Sequence, residues 1–148
     1  MSDALTPEPD ASAAVEVSLY EAAGGMPYFE ALVDAFYDGV VADVVLLPLY
    51  TQDDIDGARH RLTLFLAQYW GGPTTYSQVR GHPKLRMRHM QFHVGPAERD
   101  HWLLRMAAAV ELVPSSPQIR ERLMAYFVTS AEHLRNDTGL PISSARSR

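Results

Sequence analysis

The sequence predicts an all-α fold in a single domain, on three observations. Apolar residues recur at helical spacing in successive segments. Glycine and proline clusters (Gly24-Gly25, Gly71-Gly72-Pro73, Gly95-Pro96 and Pro114 to Pro117) punctuate those segments. With 148 residues, 47% of them hydrophobic, the chain is long enough for one core. There is no internal repeat, and the connection lengths fit two antiparallel helix pairs.

The elements follow in order. Residues 1–17 are rich in Ala, Pro, Ser and acid and read as a disordered acidic tail. Ser18 is placed to cap a short helix through Ala23, which Gly24-Gly25 ends. A second helix has Pro27 in its first turn and Phe29, Leu32, Val33, Phe36, Tyr37, Val40 and Val41 at helical spacing. Residues 43–50, DVVLLPLY, read equally as a strand or as a tight helical turn, because Pro48 interrupts a short apolar run. Asp53 or Asp54 starts a third helix through Tyr69, with Ile55, Ala58, Leu62, Phe65, Leu66 and Tyr69 on one face. Residues 71–81 read as a loop. His82-Pro83 opens a short helix carrying His89. Gly95-Pro96 starts a long helix with Trp102, Met106, Ala109, Val110 and Val113 inward. The last helix runs from Pro117 to about Arg135, with Ile119, Leu123, Tyr126, Phe127, Val128 and Leu134 as its apolar set. Residues 138–148 read as a flexible tail.

Charge and composition exclude several classes. The net charge is −5, and Asp3, Glu8, Asp10 and Glu16 place most of it in the tail. The nearly neutral remainder argues against general nucleic-acid binding. No cysteine is present, so there is no disulfide framework, thiolate nucleophile or thiolate metal site. The first residues lack the basic and apolar regions of a signal peptide, and no run is long enough for a membrane span, so a cytoplasmic location is expected. There is no HExxH pattern, nucleophile elbow, phosphate loop or carboxylate pair.

What remains is an uneven distribution of cations and aromatics. From Gly57 to Ala97 there is no Asp or Glu, yet Arg59, Arg61, Arg80, Lys84, Arg86 and Arg88 all fall there. They form either a solvated face or partners for ligand carboxylates. His89 follows the densest part of this run. One imidazole cannot close a zinc site, so His89 is either a packed or surface histidine or the single protein ligand of a metal held mainly by something else. Phe36, Tyr37, Tyr50, Phe65, Tyr69, Trp70 and Trp102 are spread over several segments, and a buried Tyr or Trp donor needs an acceptor. A basic, aromatic-flanked segment with one candidate imidazole suits a flat, apolar, anionic ligand that carries a metal.

The run FLAQYWGGPTTYSQVRGHPKLRMRHMQF (65–92), with ERDHWL (98–103) and AAGGMPYFEALVDAFYDGV (22–40), resembles the group II, O-type, truncated hemoglobins. These are globins built as a two-over-two helical sandwich around heme, and the similarity covers residues 18–137. The resemblance implies heme b as cofactor and His89 as the proximal ligand of a pentacoordinate iron. It implies Tyr37, Tyr50 and Trp102 as distal groups that stabilise a bound ligand, with Ala58 where larger globins place a histidine and Leu62 as an apolar lid. Phe65 and Leu85 would line the cofactor. Arg61 and Arg88, with Tyr76 and His82, would meet its propionates. Thr51 departs from the family pattern, which often has proline there, and leaves the loop before Asp53 open. The implied ligands are O2, CO, NO or peroxide. The implied chemistry is NO dioxygenation, peroxide reduction, or oxygen sensing, transport and delivery, served by an unidentified reductase, with a homodimer among the allowed assemblies. The rival readings are a carrier or sensor without turnover, and a heme-free helical interaction domain.

Overall fold

The computed structural model describes residues 17–81 and 94–134. Every regular element among them is helical: α1 (Leu19–Ala23), α2 (Met26–Val40), α3 (Ile55–Tyr69), α4 (Thr75–Arg80), α5 (Pro96–Leu112) and α6 (Pro117–Leu134). Two short 3-10 turns, Leu47–Leu49 and Gln52–Asp54, join α2 to α3. The helix α2 packs on both α3 and α5, and α5 packs on α6. This is the two-over-two helical sandwich.

Local chemistry accounts for most boundaries. The Ser18 hydroxyl accepts from the Glu21 amide at 3.1 Å and starts α1. At α5, Pro96 fills the first turn and the Glu98 carboxylate accepts from the Gly95 amide at 3.0 Å. The Ser116 hydroxyl accepts from the Ile119 amide at 3.2 Å at the head of α6. The ambiguous run 43–50 is a turn followed by a 3-10 helix through Pro48, not a strand. At α3 neither acid caps by its side chain. Asp54 occupies the cap position, but its carboxylate takes the Arg61 guanidinium at 2.7 Å instead.

One element was not expected. Residues Thr75–Arg80, read from sequence as part of a loop, form α4. The segment is too short and polar to show a helical stripe, and contacts from elsewhere define it. The Gln68 amide on α3 donates to the Ser77 hydroxyl at 2.8 Å and accepts from the Ser77 amide at 3.0 Å. Tyr76 is buried edge-on against Phe65, with ring centroids 5.5 Å apart.

The double glycine before α4 does more than stop α3. The Tyr20 amide donates to the Trp70 carbonyl at 3.0 Å, which docks α1 on the end of α3. A Cβ on Gly72 would lie 2.6 Å from Tyr20 ring carbons, and one on Gly71 2.6 Å from the Ser18 Cβ, while Gly71 has φ +105°. Side chains at either position would push α1 away.

The core is centred on α2. Phe29, Leu32, Val33, Phe36, Tyr37 and Val40 are buried as the spacing predicts, with Met106, Ala109 and Val110 of α5 and Leu123 and Phe127 of α6. Three expected core positions are exposed. Val41 (44% exposed) lies just past the end of α2, Val128 (50%) is on the outer side of α6, and Tyr69 (52%) meets Tyr126 at a tilt with ring centroids 4.3 Å apart. No helix among the described residues is long and apolar enough to cross a membrane.

Phe36 is fully buried and touches both Tyr37, at 5.0 Å between ring centroids, and Trp102 of α5, at 5.2 Å. Removing its ring should therefore cost the transfer energy and leave a cavity. Phe36→Ala is expected to lower stability by about 3–5 kcal/mol. Denaturant unfolding of the two proteins checks this, and a loss no larger than that of a surface substitution would refute the central role of Phe36.

Candidate functional site

Helical register places Ala58, Leu62 and Phe65 on one side of α3, at i, i+4 and i+7. Ala58 and Phe65 are buried and Leu62 partly so. Tyr37 comes from α2, Tyr50 from the end of the Leu47–Leu49 turn, and Trp102 from α5. The structure brings the last three together through their rings. Tyr50 meets Tyr37 edge-on at 5.5 Å, Tyr37 meets Phe36 at 5.0 Å, and Phe36 meets Trp102 at 5.2 Å. Trp102 is held on its other side by Phe127 at 5.6 Å. Its ring is half-buried, where the sequence suggested full burial. None of the hydrogen bonds among the described residues uses its indole N–H.

The two phenols are electrically coupled. Burial, and then the neighbouring Tyr50, push Tyr37 far above the usual phenol range, outweighing Arg61 and Arg59. Burial also raises Tyr50, while a hydrogen bond with Tyr37 lowers it. Both groups are neutral donors at ordinary pH.

The basic residues divide. Arg59 lies 5.7 Å from the Tyr37 ring centroid and bonds to the Asp34 carbonyl at 3.2 Å and to the Asp38 carboxylate at 3.4 Å. Arg61, paired with Asp54, is electrostatically close to both Tyr37 and Tyr76. A ligand carboxylate at this edge would have to compete with Asp54. Leu85, His82, Arg88 and His89 lie outside the described residues, as does the helix expected to carry them. No group of three or more His, Asp or Glu side chains among the described residues could hold a metal ion. A charged surface cleft of about 430 Å³ between α2 and α3, lined by Glu30, Asp34, Asp56 and Arg59, contains none of the three distal aromatics.

Sequence reasoning missed Asp43. It is only 2% exposed, yet it is charged. Its Oδ1 accepts from the Val45 and Leu46 amides at 2.8 and 3.0 Å. Its Oδ2 accepts from the Arg105 Nε at 2.8 Å and faces the His101 Nδ1 at 2.9 Å. An Asp at the head of an apolar run, with His and Arg four apart on a later helix, was the available signal.

Comparison with known proteins agrees with this geometry. The profile of the bacterial-like globins matches residues 18–136, and the chain belongs to that family. Within it the chain is a group II truncated hemoglobin. It is 38% identical over 119 residues to the group 2 truncated hemoglobin YjbI of Bacillus subtilis, covering 80% of this chain and 89% of that one. The solved hemoglobin of Chloroflexus aurantiacus superposes with a TM-score of 0.80 at 43% identity, covering 82% of this chain and 99% of that one. That of Thermobifida fusca gives 0.79 at 48% identity, covering 81% and 98%. The cofactor of the family is heme b, and the family binds small diatomic ligands. The donor set here fits such a group: two phenols and an indole beside an apolar α3 face of Ala58, Leu62 and Phe65.

Burial raises the Asp43 carboxyl, but bonds from His101, Arg105 and the Leu46 and Val45 amides outweigh it and hold it well below the usual range. A depressed folded-state value stabilises the fold above the unfolded value, near pH ~4, and that contribution is lost as pH falls further. Asp43→Asn should therefore lower stability by about 1.5–3 kcal/mol at neutral pH. The gap between the two proteins should shrink progressively below pH ~4. Melting temperatures measured from neutral to acid pH check this, and a gap independent of pH would refute it.

Proposed function

We propose that this chain binds O2 and related diatomic ligands at a pentacoordinate heme b, holds the ligand by hydrogen bonds, and uses it for redox chemistry. The observation that carries the reading is the continuous chain of ring contacts from Tyr50 through Tyr37 and Phe36 to Trp102, which links three separate elements. His89 would hold the iron from the proximal side. Arg61, Arg88, Tyr76 and His82 would meet the propionates, while Leu85 and Phe65 line the ring. When bound, the heme supplies an iron that takes a diatomic ligand and shifts electron density onto it.

The residues have separable tasks. The Trp102 indole N–H can only donate, and its ring is fixed between Phe36 and Phe127. Tyr50 and Tyr37, edge-on to each other, are both kept neutral by burial and would add hydroxyl donors on the same side. Ala58 has no polar group, so the distal side has no histidine gate and would admit small ligands. Preorganised donors favour the form with negative charge on the ligand, which slows its release. A slowly released, polarised ligand suits NO dioxygenation or peroxide reduction better than delivery. Repeated turnover then needs electrons from a separate reductase, and a cytoplasmic location would provide one. A carrier without turnover is the second reading, and steady-state peroxidase activity measured against free heme separates the two.

Two measurements test the site. His89→Ala should lose tight heme binding or change the ferrous spectrum, read from the Soret band of purified protein. An unchanged ferrous spectrum would remove His89 as the ligand. Trp102→Phe keeps most of the packing and deletes one donor. It should speed oxygen release tenfold or more if the lost bond is worth about 1.5 kcal/mol. Carbon monoxide, a weaker acceptor, should respond less. Stopped-flow release rates decide: no change in Trp102→Phe with a rise in Tyr50→Phe makes the tyrosine dominant, and no change in either contradicts a polar distal wall.

A further inference from the structure

We infer that Asp43 is a positioning residue of the distal site, tying the segment that ends in Tyr50 to the helix that presents Trp102. The inference rests on the assignment of those two side chains as ligand donors. They belong to different elements, and neither local backbone geometry nor chain connectivity fixes their separation.

The Asp43 carboxylate spans that gap. One oxygen holds the Val45 and Leu46 amides, which sets the turn entering Leu47–Leu49. The Leu49 amide bonds to the Leu46 carbonyl at 2.9 Å and the Tyr50 amide to the Leu47 carbonyl at 3.0 Å, so the short helix passes that constraint on to Tyr50. The other oxygen meets His101 Nδ1 and Arg105 Nε on α5. His101 is the residue before Trp102. Arg105 is held in turn, because its stem crosses Gly39 of α2, where a Cβ would lie 2.9 Å from the Arg105 Cδ. Asp43 therefore joins the Tyr50 segment, α5 and, through Arg105, α2. Leu46, between the turn and Tyr50, is almost fully buried, so the segment is anchored by packing as well as by charge.

A carboxylate suits this task. It accepts four bonds at once in a buried setting, and an amide cannot reproduce all four. Loss of the charge should leave the fold standing, since the His101 and Arg105 side chains are 37% and 33% exposed and water can reach them. What should be lost is alignment between Tyr50 and Trp102.

The test compares the heme-loaded wild type with Asp43→Asn, Arg105→Gln, Trp102→Phe and Tyr50→Phe, with Leu19→Ala as a control destabilised at a buried site on α1. Oxygen release, the carbon monoxide stretching frequency, amide exchange over residues 44–50 and melting temperature are measured. Asp43→Asn should release oxygen about three- to tenfold faster. It should also shift the stretching frequency and speed exchange in that segment, and Arg105→Gln should do so less. The effect on release should largely vanish in the Trp102→Phe background, because neighbours acting as a unit are not additive. Leu19→Ala should lower the melting temperature without moving the frequency. If Trp102→Phe or Tyr50→Phe alters release but Asp43→Asn changes only melting temperature, Asp43 is merely structural and the inference falls alone. If neither aromatic variant alters release, the distal-donor reading fails and takes this inference with it.

Discussion

The contact between α2 and α5 governs the rest of the molecule. It is made at two points, three residues apart on each helix. Phe36 meets Trp102, and Gly39 admits the Arg105 stem. A large ring at one point and a missing side chain at the other set how closely the helices approach. Tyr37 follows Phe36 in sequence, and His101 precedes Trp102. The packing that stabilises the core therefore also determines where the polar groups of the site emerge. Change the approach and the core moves together with Tyr37, His101 and Trp102.

Polarity in the interior is concentrated at very few positions. Asp43 and Thr63 are the buried polar or charged side chains among the described residues, beside the buried phenols. Thr63 satisfies its hydroxyl on its own helix by donating to the Arg59 carbonyl at 2.9 Å. Asp43 instead takes partners from two elements. A buried charge tolerates this only when its oxygens are fully used. That economy leaves the packing between α2, α3 and α5 apolar apart from the aromatic side chains that carry a phenol or an indole.

The basic bias between Gly57 and Ala97 has a more ordinary side than the sequence suggested. Arg59 and Arg61 are already matched by acids on α2 and in the turn before α3. Such exposed pairs contribute little stability individually. The glycines of the WGGP motif likewise serve packing: they let α1 lie on the end of α3, while the motif's Trp70 meets Tyr126 of α6 edge-on at 5.6 Å.

Much of this was written locally. The spacing of Phe29, Leu32, Val33, Phe36, Tyr37 and Val40 defines α2 and its buried face, because a 3.6-residue period has only one way to sort side chains. Ser18, Gly95-Pro96 and Pro117 mark helix starts, since a cap or a first-turn proline acts only on its nearest neighbours. The motif around residues 65–92, with Trp102, carried the family and hence the heme. Tertiary structure decided what depends on partners distant in sequence. Helix α4 exists because Gln68 and Phe65 receive Ser77 and Tyr76, and nothing within Thr75–Arg80 announces that. Run 43–50 was ambiguous until Asp43 fixed its turn. Tyr69 and Val128 matched the apolar period but stay about half exposed, Tyr69 covered on one side only, by Tyr126 of α6. The tie from Asp43 to α5 could not be read along the chain, because Asp43 lies 58 residues from His101 and 62 from Arg105 and meets them only after the helices have packed.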